Sequence, residues 1–241
     1  MDAPRKPPRG PFRAVVFDLD GTLVDSAPDI ATALNRTLAA AGRAAVTLAA
    51  VKTMIGDGAK RLVARGFAAT GDGLGEAALE RHYRDFLACY EGENAVALTR
   101  PYPGVIETLA LLQSDGVRLG LCTNKPAQAT RDVLQQLALA PYFAAVITPE
   151  EVGAPKPDPA HLGAVLAALD AAPADAVMVG DNANDVAVAR AAGTAVVAVS
   201  YGYPRMDPRE LGADLLIDAM SELPAALTRL KPAARSARPA R

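Results

Sequence analysis

Residues 14–22 read Ala14-Val15-Val16-Phe17-Asp18-Leu19-Asp20-Gly21-Thr22. Four consecutive apolar residues, rich in strand formers, predict a short parallel strand covered on both faces. Side chains two positions apart on a strand point the same way. Asp18 and Asp20 therefore face one pocket at the strand's C-terminal end, where open α/β sheets place their ligands. Two carboxylates there repel each other and are costly to desolvate, which calls for a cation. An Asp-Gly after a strand is also a common turn, and the rest of the chain has to decide between the two.

Beyond Thr22 the pattern changes from strand to helix for about 75 residues. Ser26 followed three residues later by Asp29 reads as a capping box, with Pro28 in the first turn. Ile30, Leu34 and Leu38 recur at helical spacing, and Gly42 stops the run. Thr47 caps a second short helix ending near Ile55-Gly56. Leu62, Val63 and Phe67 line a third, broken at Gly71-Asp72-Gly73. Leu79, Tyr83, Phe86, Leu87 and Tyr90 mark a fourth. Consecutive helices with short connections form a small bundle, and the Leu79-Tyr83-Phe86-Tyr90 stripe reads as its core.

From Pro101 onward helix and strand alternate. Val105, Ile106, Leu109 and Leu112 give a helix stopped by Gly116, and 117–122 is a strand ending at Thr123-Asn124. A helix over about 127–137 and a strand over 144–147 come next. Asp158-Pro159 supplies an N-cap and first-turn proline for another helix. A strand over 176–179 enters Gly180-Asp181, and 195–199 and 215–217 are two more. Such alternation means right-handed βαβ crossovers and a parallel sheet. The expected architecture is α/β, a Rossmann-like parallel sheet with helices on both faces, built from 1–24 and 100–230. A small α-helical cap over 25–99 is inserted after the first strand, and 231–241 is a disordered tail.

Whole-chain properties narrow the class. A chain of 241 residues can bury one full core and carry an insertion. A net charge of −2, with both signs spread throughout, makes no electrostatic case for nucleic acid. No run approaches the roughly 20 apolar residues of a membrane span. The basic, proline-rich 1–13 segment lacks the apolar stretch of a signal peptide. The expectation is a cytoplasmic protein, monomer or homodimer, with no membrane or nucleic-acid partner. Cys89 and Cys122 are far apart in sequence without Cys-x-x-Cys spacing, against a disulfide framework or a zinc site. His82 and His161 sit on expected helices without a ligand-spaced partner and read as surface or packing residues.

Four strand ends carry polar residues at one edge of the expected sheet: Asp18 and Asp20, Thr123 and Asn124, the loop bearing Lys156, and Asp181 with Asp185. Parallel strands bring these distant groups to one site. Their chemistry suits phosphoryl transfer, whose transition state spreads charge over equatorial oxygens and needs a metal, cations and hydrogen-bond donors. A carboxylate can serve as the nucleophile, and a second one two residues on can protonate the leaving oxygen. Lys156 offers a charged donor, Thr123 a hydroxyl, and Asp181 a hard oxygen for Mg2+.

With these residues in place, the chain resembles the haloacid-dehalogenase superfamily of phosphohydrolases over nearly its whole length. The first motif of that family, Asp-x-Asp-Gly-Thr, matches Asp18 to Thr22; the second matches Thr123; the third, Lys-Pro-x-Pro, matches Lys156 to Pro159; the fourth matches Gly180-Asp181 with Asp185. The resemblance implies that Asp18 is the nucleophile and Asp20 the general acid/base. It implies Mg2+ held by Asp18, Asp181 and the backbone carbonyl of Asp20, with Asp185 as an additional or outer ligand. It also implies phosphate contacts from Thr123, Asn124 and Lys156. Asn182 departs from the small hydroxyl residue of many relatives.

Within the superfamily the local text is most similar to phosphoglycolate phosphatases, through Met54 to Lys60, Pro101 to Val105, and Tyr201-Gly202-Tyr203. A small phosphorylated acid is the substrate so implied. Gly56 and Gly58 allow close backbone approach, and a helix starting near Ala59 would offer N–H groups to a carboxylate, with Lys60 or Arg61 as an added cation. A mutase that returns the phosphoryl group to sugar, another small-phosphate phosphatase and a non-enzymatic phospho-acceptor are the alternatives.

Overall fold

The structure, a computed structural model, describes residues 10–90 and 96–230. The expected tail at 231–241, and 91–95 of the expected insertion, lie outside the described residues. Strand β1 (Ala14–Phe17) is followed by the two-residue strand β2 (Val24–Asp25). Helices α1 (Ala27–Ala40), α2 (Leu48–Met54), α3 (Ala59–Ala69) and α4 (Glu76–Tyr90) come next. The chain returns through β3 (Arg100–Pro101), which pairs antiparallel with β2. Then follow α5 (Val105–Ser114), β4 (Arg118–Cys122), α6 (Ala127–Gln136), β5 (Ala145–Ile147) and the single turn α7 (Pro149–Val152). The last part is α8 (Pro159–Ala168), β6 (Ala176–Gly180), α9 (Ala183–Ala192), β7 (Ala195–Val199), β8 (Leu215–Ile217) and α10 (Leu223–Arg229).

Six strands form one parallel sheet in the order β5-β4-β1-β6-β7-β8. Strand β1 lies inside it, so its alternate side chains enter two separate cores. Val15 and Phe17 pack with Leu109, Leu112, Leu223 and Leu227 on one face. Ala14 and Val16 pack with Leu162, Val165, Val188 and Ala189 on the other. A strand buried on both faces has no room for a polar alternation, and this explains the unbroken apolar run of 14–17. Helices α1–α4 bury a third core of Ile30, Leu34, Leu38, Val51, Leu62, Val63, Phe67 and Phe86. No helix among the described residues is long and apolar enough to cross a membrane.

Two local expectations are corrected. Ser26 precedes α1 but makes no side-chain cap bond; its hydroxyl donates to Asp20 Oδ1 at 2.6 Å. Asp29 does not reach back to Ser26 either. Its buried carboxylate accepts the Leu98 N–H, the Thr99 N–H and the Thr99 hydroxyl, the last two at 2.7 Å. The outgoing and returning connections are thus fastened together beside the short β2–β3 ribbon. Tyr203 adds a second tie: its hydroxyl donates to Asp25 at 2.6 Å and accepts the Ala27 N–H at 3.0 Å. By contrast Thr47 accepts the Ala50 N–H and Asp158 the Ala160 N–H, the caps expected from sequence.

Candidate active site

The C-terminal ends of β1, β4 and β6 meet, and the loop before α8 joins them. Asp18, at the end of β1, donates its N–H to Val179 O on β6 at 2.9 Å, which holds it in line with the sheet. The chain then turns sharply: Thr22, Leu23 and Val24 all donate to Leu19 O. Gly21 sits in this turn at φ +86°, and a Cβ there would lie 2.3 Å from Asp181 Oδ2. The turn therefore needs glycine both for its backbone angle and for the space that Asp181 occupies.

Asp18, Asp181 and Asp185 are all buried, and one carboxylate oxygen from each lies within 4.8 Å of the others. Lys156 Nζ is 2.7 Å from Asp18 Oδ1 and 2.7 Å from Asp185 Oδ1. Three clustered carboxylates thus share one ammonium, which pairs directly with two of them. Burial pushes Asp18 up to about 7; Lys156 pulls against this, while Asp185 and Asp20 add to it. Burial, then Asp185 and Asp18, hold Asp181 well above the usual carboxylate range. Burial alone would lower Lys156, but Asp18 and Asp185 hold it above its ordinary value. An all-carboxylate donor set with excess negative charge fits a hard divalent cation such as Mg2+.

The members of this cluster are not equivalent. Asp185 Oδ2 accepts the N–H groups of Asp181 and Asn182, both at 3.1 Å, closing a capping box at the start of α9. With Oδ1 on Lys156, both its oxygens are committed. Asp181 is held by the Tyr203 N–H at 2.7 Å and the Asn182 amide at 3.2 Å. Asn182, the departure from the family pattern, serves here as the N-cap and as a donor to Asp181.

Thr123 is buried and its hydroxyl oxygen accepts the Lys125 N–H at 3.2 Å. Asn124 is a bracket: its amide donates to Gly56 O and Lys156 O, both at 3.0 Å, and its oxygen accepts the Lys156 N–H at 2.8 Å. It thereby joins the loop of Gly56 to the core. Gly56 and Gly58 both line the cavity that contains Asp18 and Asp20, and α3 starts at Ala59 beside them. Lys60 lies elsewhere, paired with Glu76 at 2.7 Å and Glu80 at 3.0 Å and lining a separate groove. His82 and His161 stay outside the site; His82 stacks on Phe67, and His161 bonds Ile147 O.

Sequence reasoning missed Lys125. Its side chain is 1% exposed, with Nζ 2.9 Å from Asp20 Oδ1 and bonded to the Tyr90 hydroxyl. Tyr90 and Phe86 are therefore more than core of the helical layer, because both also line the cavity. The signal was a lysine directly after a strand-end Thr-Asn, with a tyrosine closing a helical stripe in the insertion. A second missed group is Asp57, which binds Arg65, Arg205 and Asn184.

This arrangement defines a class of protein. The model of the haloacid dehalogenase-like hydrolase family matches residues 12–193, and the chain belongs to that family. Among individual proteins it is similar to the phosphoglycolate phosphatase of Rhodospirillum rubrum, 44% identical over 215 residues that cover 88% of this chain and 89% of the relative. It is also similar to the phosphoglycolate phosphatase of Caulobacter vibrioides, 41% identical over 216 residues, with 88% and 89% covered. A solved structure from Haemophilus somnus, described as a predicted phosphoglycolate phosphatase, superposes with a TM-score of 0.85 at 30% identity, covering 90% of this chain and 99% of the other.

Proposed function

We propose that this chain is a Mg2+-dependent phosphomonoesterase of the cytoplasm that hydrolyses 2-phosphoglycolate to glycolate and phosphate through an aspartyl phosphate on Asp18. One observation carries the chemistry: a buried carboxylate at the end of β1, beside a buried lysine and two further carboxylates from β6 and α9. The substrate rests on the relatives named above and on the cavity that contains Asp18 and Asp20 between the sheet and the helical layer.

In the first step an Asp18 oxygen attacks phosphorus, forming an O–P bond as the bond to the ester oxygen breaks. Asp20, 13% exposed and fixed by Ser26 and Lys125, gives its proton to the departing oxygen. In the second step Asp20 takes a proton from water, whose oxygen attacks phosphorus and releases phosphate from Asp18. Lys156 and the Thr123 hydroxyl stabilise charge on the phosphoryl oxygens. Asp18 and Asp181, with the Asp20 carbonyl, would hold Mg2+, which supplies further neutralisation of that charge. Asp185 acts as a brace, orienting Lys156 and the Asp181 backbone.

The test is phosphate release across a panel of phosphomonoesters, with and without chelator. The expected result is a kcat/KM preference for 2-phosphoglycolate over sugar phosphates and nucleotides that disappears with chelator. A flat profile overturns the substrate; no release from any ester overturns the reaction.

A further inference from the structure

We propose that Lys125, assisted by the Tyr90 hydroxyl, is the specificity-determining group that recognises the carboxylate of the substrate's leaving group. The inference rests on the proposed 2-phosphoglycolate reading and assigns that carboxylate a place.

The cavity over Asp18 and Asp20 is walled by Ile30, Ile55, Leu62 and Phe86, with Gly56, Gly58, Ala59 and Pro126 presenting no polar side chain. Its polar lining divides in two. Asp18 and Thr123 sit at the phosphoryl end, and the Asn124 amide is already bonded to Gly56 and Lys156. Next to Asp20, on the leaving-group side, stand Lys125 and Tyr90, and Lys125 is the one cationic side chain lining this cavity among the described residues. An ammonium at 1% exposure is expensive to bury unless it is paired. Lysine has three N–H donors. One goes to Asp20 Oδ1 at 2.9 Å and one to the Tyr90 hydroxyl; among the described residues the third has no partner, and we assign it to the ligand.

The geometry selects the ligand. An ester oxygen placed to receive a proton from Asp20 lies close to Lys125 Nζ, itself 2.9 Å from the same carboxylate. In 2-phosphoglycolate the carboxylate is one methylene beyond that oxygen, so it falls on Nζ. A longer chain would carry its charge past Lys125 into the apolar wall. The Tyr90 hydroxyl stays protonated, since burial pushes it up to about 12, and so remains a donor beside the ammonium. Because Tyr90 belongs to α4 and Lys125 to the loop after β4, the subsite is complete only when the helical layer is docked on the sheet.

The experiment compares kcat/KM for 2-phosphoglycolate with that for 2-hydroxyethyl phosphate, which has an alcohol in place of the carboxylate. It is run on wild type, Lys125→Met, Lys125→Arg and Tyr90→Phe. The ratio of the two values should fall roughly 10–100-fold in Lys125→Met, the loss of one charge-assisted hydrogen bond. Lys125→Arg should recover part of it, and Tyr90→Phe should lower it only about 3-fold, as for one neutral bond. A ratio unchanged in Lys125→Met overturns the proposal, whether both substrates slow together or neither does. Equal slowing makes Lys125 a positioning residue for Asp20. The far-ultraviolet circular dichroism spectrum and a cooperative thermal transition confirm that each variant is folded. A wild type that prefers some other phosphomonoester refutes the 2-phosphoglycolate reading, and the variant's ratio still decides the role of Lys125.

Discussion

Asp57→Asn should loosen the helical layer from the sheet while leaving the reacting groups untouched. Asp57 lies between α2 and α3, and its carboxylate accepts bonds from three donors. Arg65 belongs to the same helical layer; Arg205 and Asn184, at 2.6 Å each, belong to the sheet side. Arg205 also bonds Ile55 O. Burial raises the Asp57 carboxyl, but hydrogen bonds from Asn184, Arg205 and Arg65 outweigh it and hold the group at about 2 against an ordinary 3.8. A difference of that size is worth about 2 kcal/mol. The Arg205 side chain is 34% exposed, and solvent screening with the share owed to Arg65 leaves about 1 kcal/mol across the junction. The docking of the helical layer on the sheet should therefore weaken by up to about fivefold. The assay is steady-state kinetics on 2-phosphoglycolate over a salt series. KM should rise by up to about fivefold in the variant with kcat nearly constant, and the wild-type KM should approach the variant's as salt increases. The contribution of a carboxyl with a depressed pKa is complete above its unfolded value and disappears as pH falls through about 2. The difference between the two proteins should thus be constant across neutral pH. A hundredfold fall in kcat with unchanged KM would refute the reasoning and move Asp57 into the chemistry.

Other substitutions separate the roles within the site. Asp18→Asn should abolish turnover, and because it removes one of three clustered buried carboxylates, its melting temperature in chelator should equal or exceed that of wild type; a lower one would mean the cluster stabilises the metal-free fold. Asp20→Asn should lower kcat/KM, which reports the transfer to Asp18, by roughly 10²–10⁴-fold for alkyl phosphates and much less for 4-nitrophenyl phosphate, whereas equal losses in kcat/KM would remove it as the proton donor. Gly202→Ala would place a Cβ 2.4 Å from Gly21 O and 2.5 Å from Asp181, so the Mg2+ concentration for half-maximal rate should rise several-fold. An unchanged Mg2+ dependence there would show that Asp181 is not a ligand.

The sheet was legible because each strand is a compact apolar run followed at once by its polar residues, as in Val177-Met178-Val179-Gly180-Asp181. The helical insertion was legible through its spacing, since Ile30, Leu34 and Leu38 bury one stripe of α1. Where partners are distant in sequence, local reading failed. Ser26 and Asp29 have the spacing of a capping box, yet Asp20 and the Leu98–Thr99 backbone offer them stronger partners in the folded chain. Strands β2 and β3 have two residues each, too few to show any period. Lys125 stands out in the sequence only as a lysine after a strand-end Thr-Asn, and its bond to Tyr90 of α4, 35 positions away, is made by the fold. Lys60 is the opposite case: Glu76 and Glu80, one turn apart at the start of α4, pair with it, and it lines a groove other than the cavity over Asp18.

The central claim is that phosphoryl transfer passes through Asp18. An aspartyl phosphate is reduced by borohydride to homoserine, so wild-type enzyme can be quenched during turnover of 2-phosphoglycolate, treated with borohydride and mapped by peptide mass spectrometry. The account predicts homoserine at position 18, dependent on both substrate and Mg2+ and absent from Asp18→Asn. Homoserine at another aspartate, or none under conditions of steady phosphate release, would contradict it.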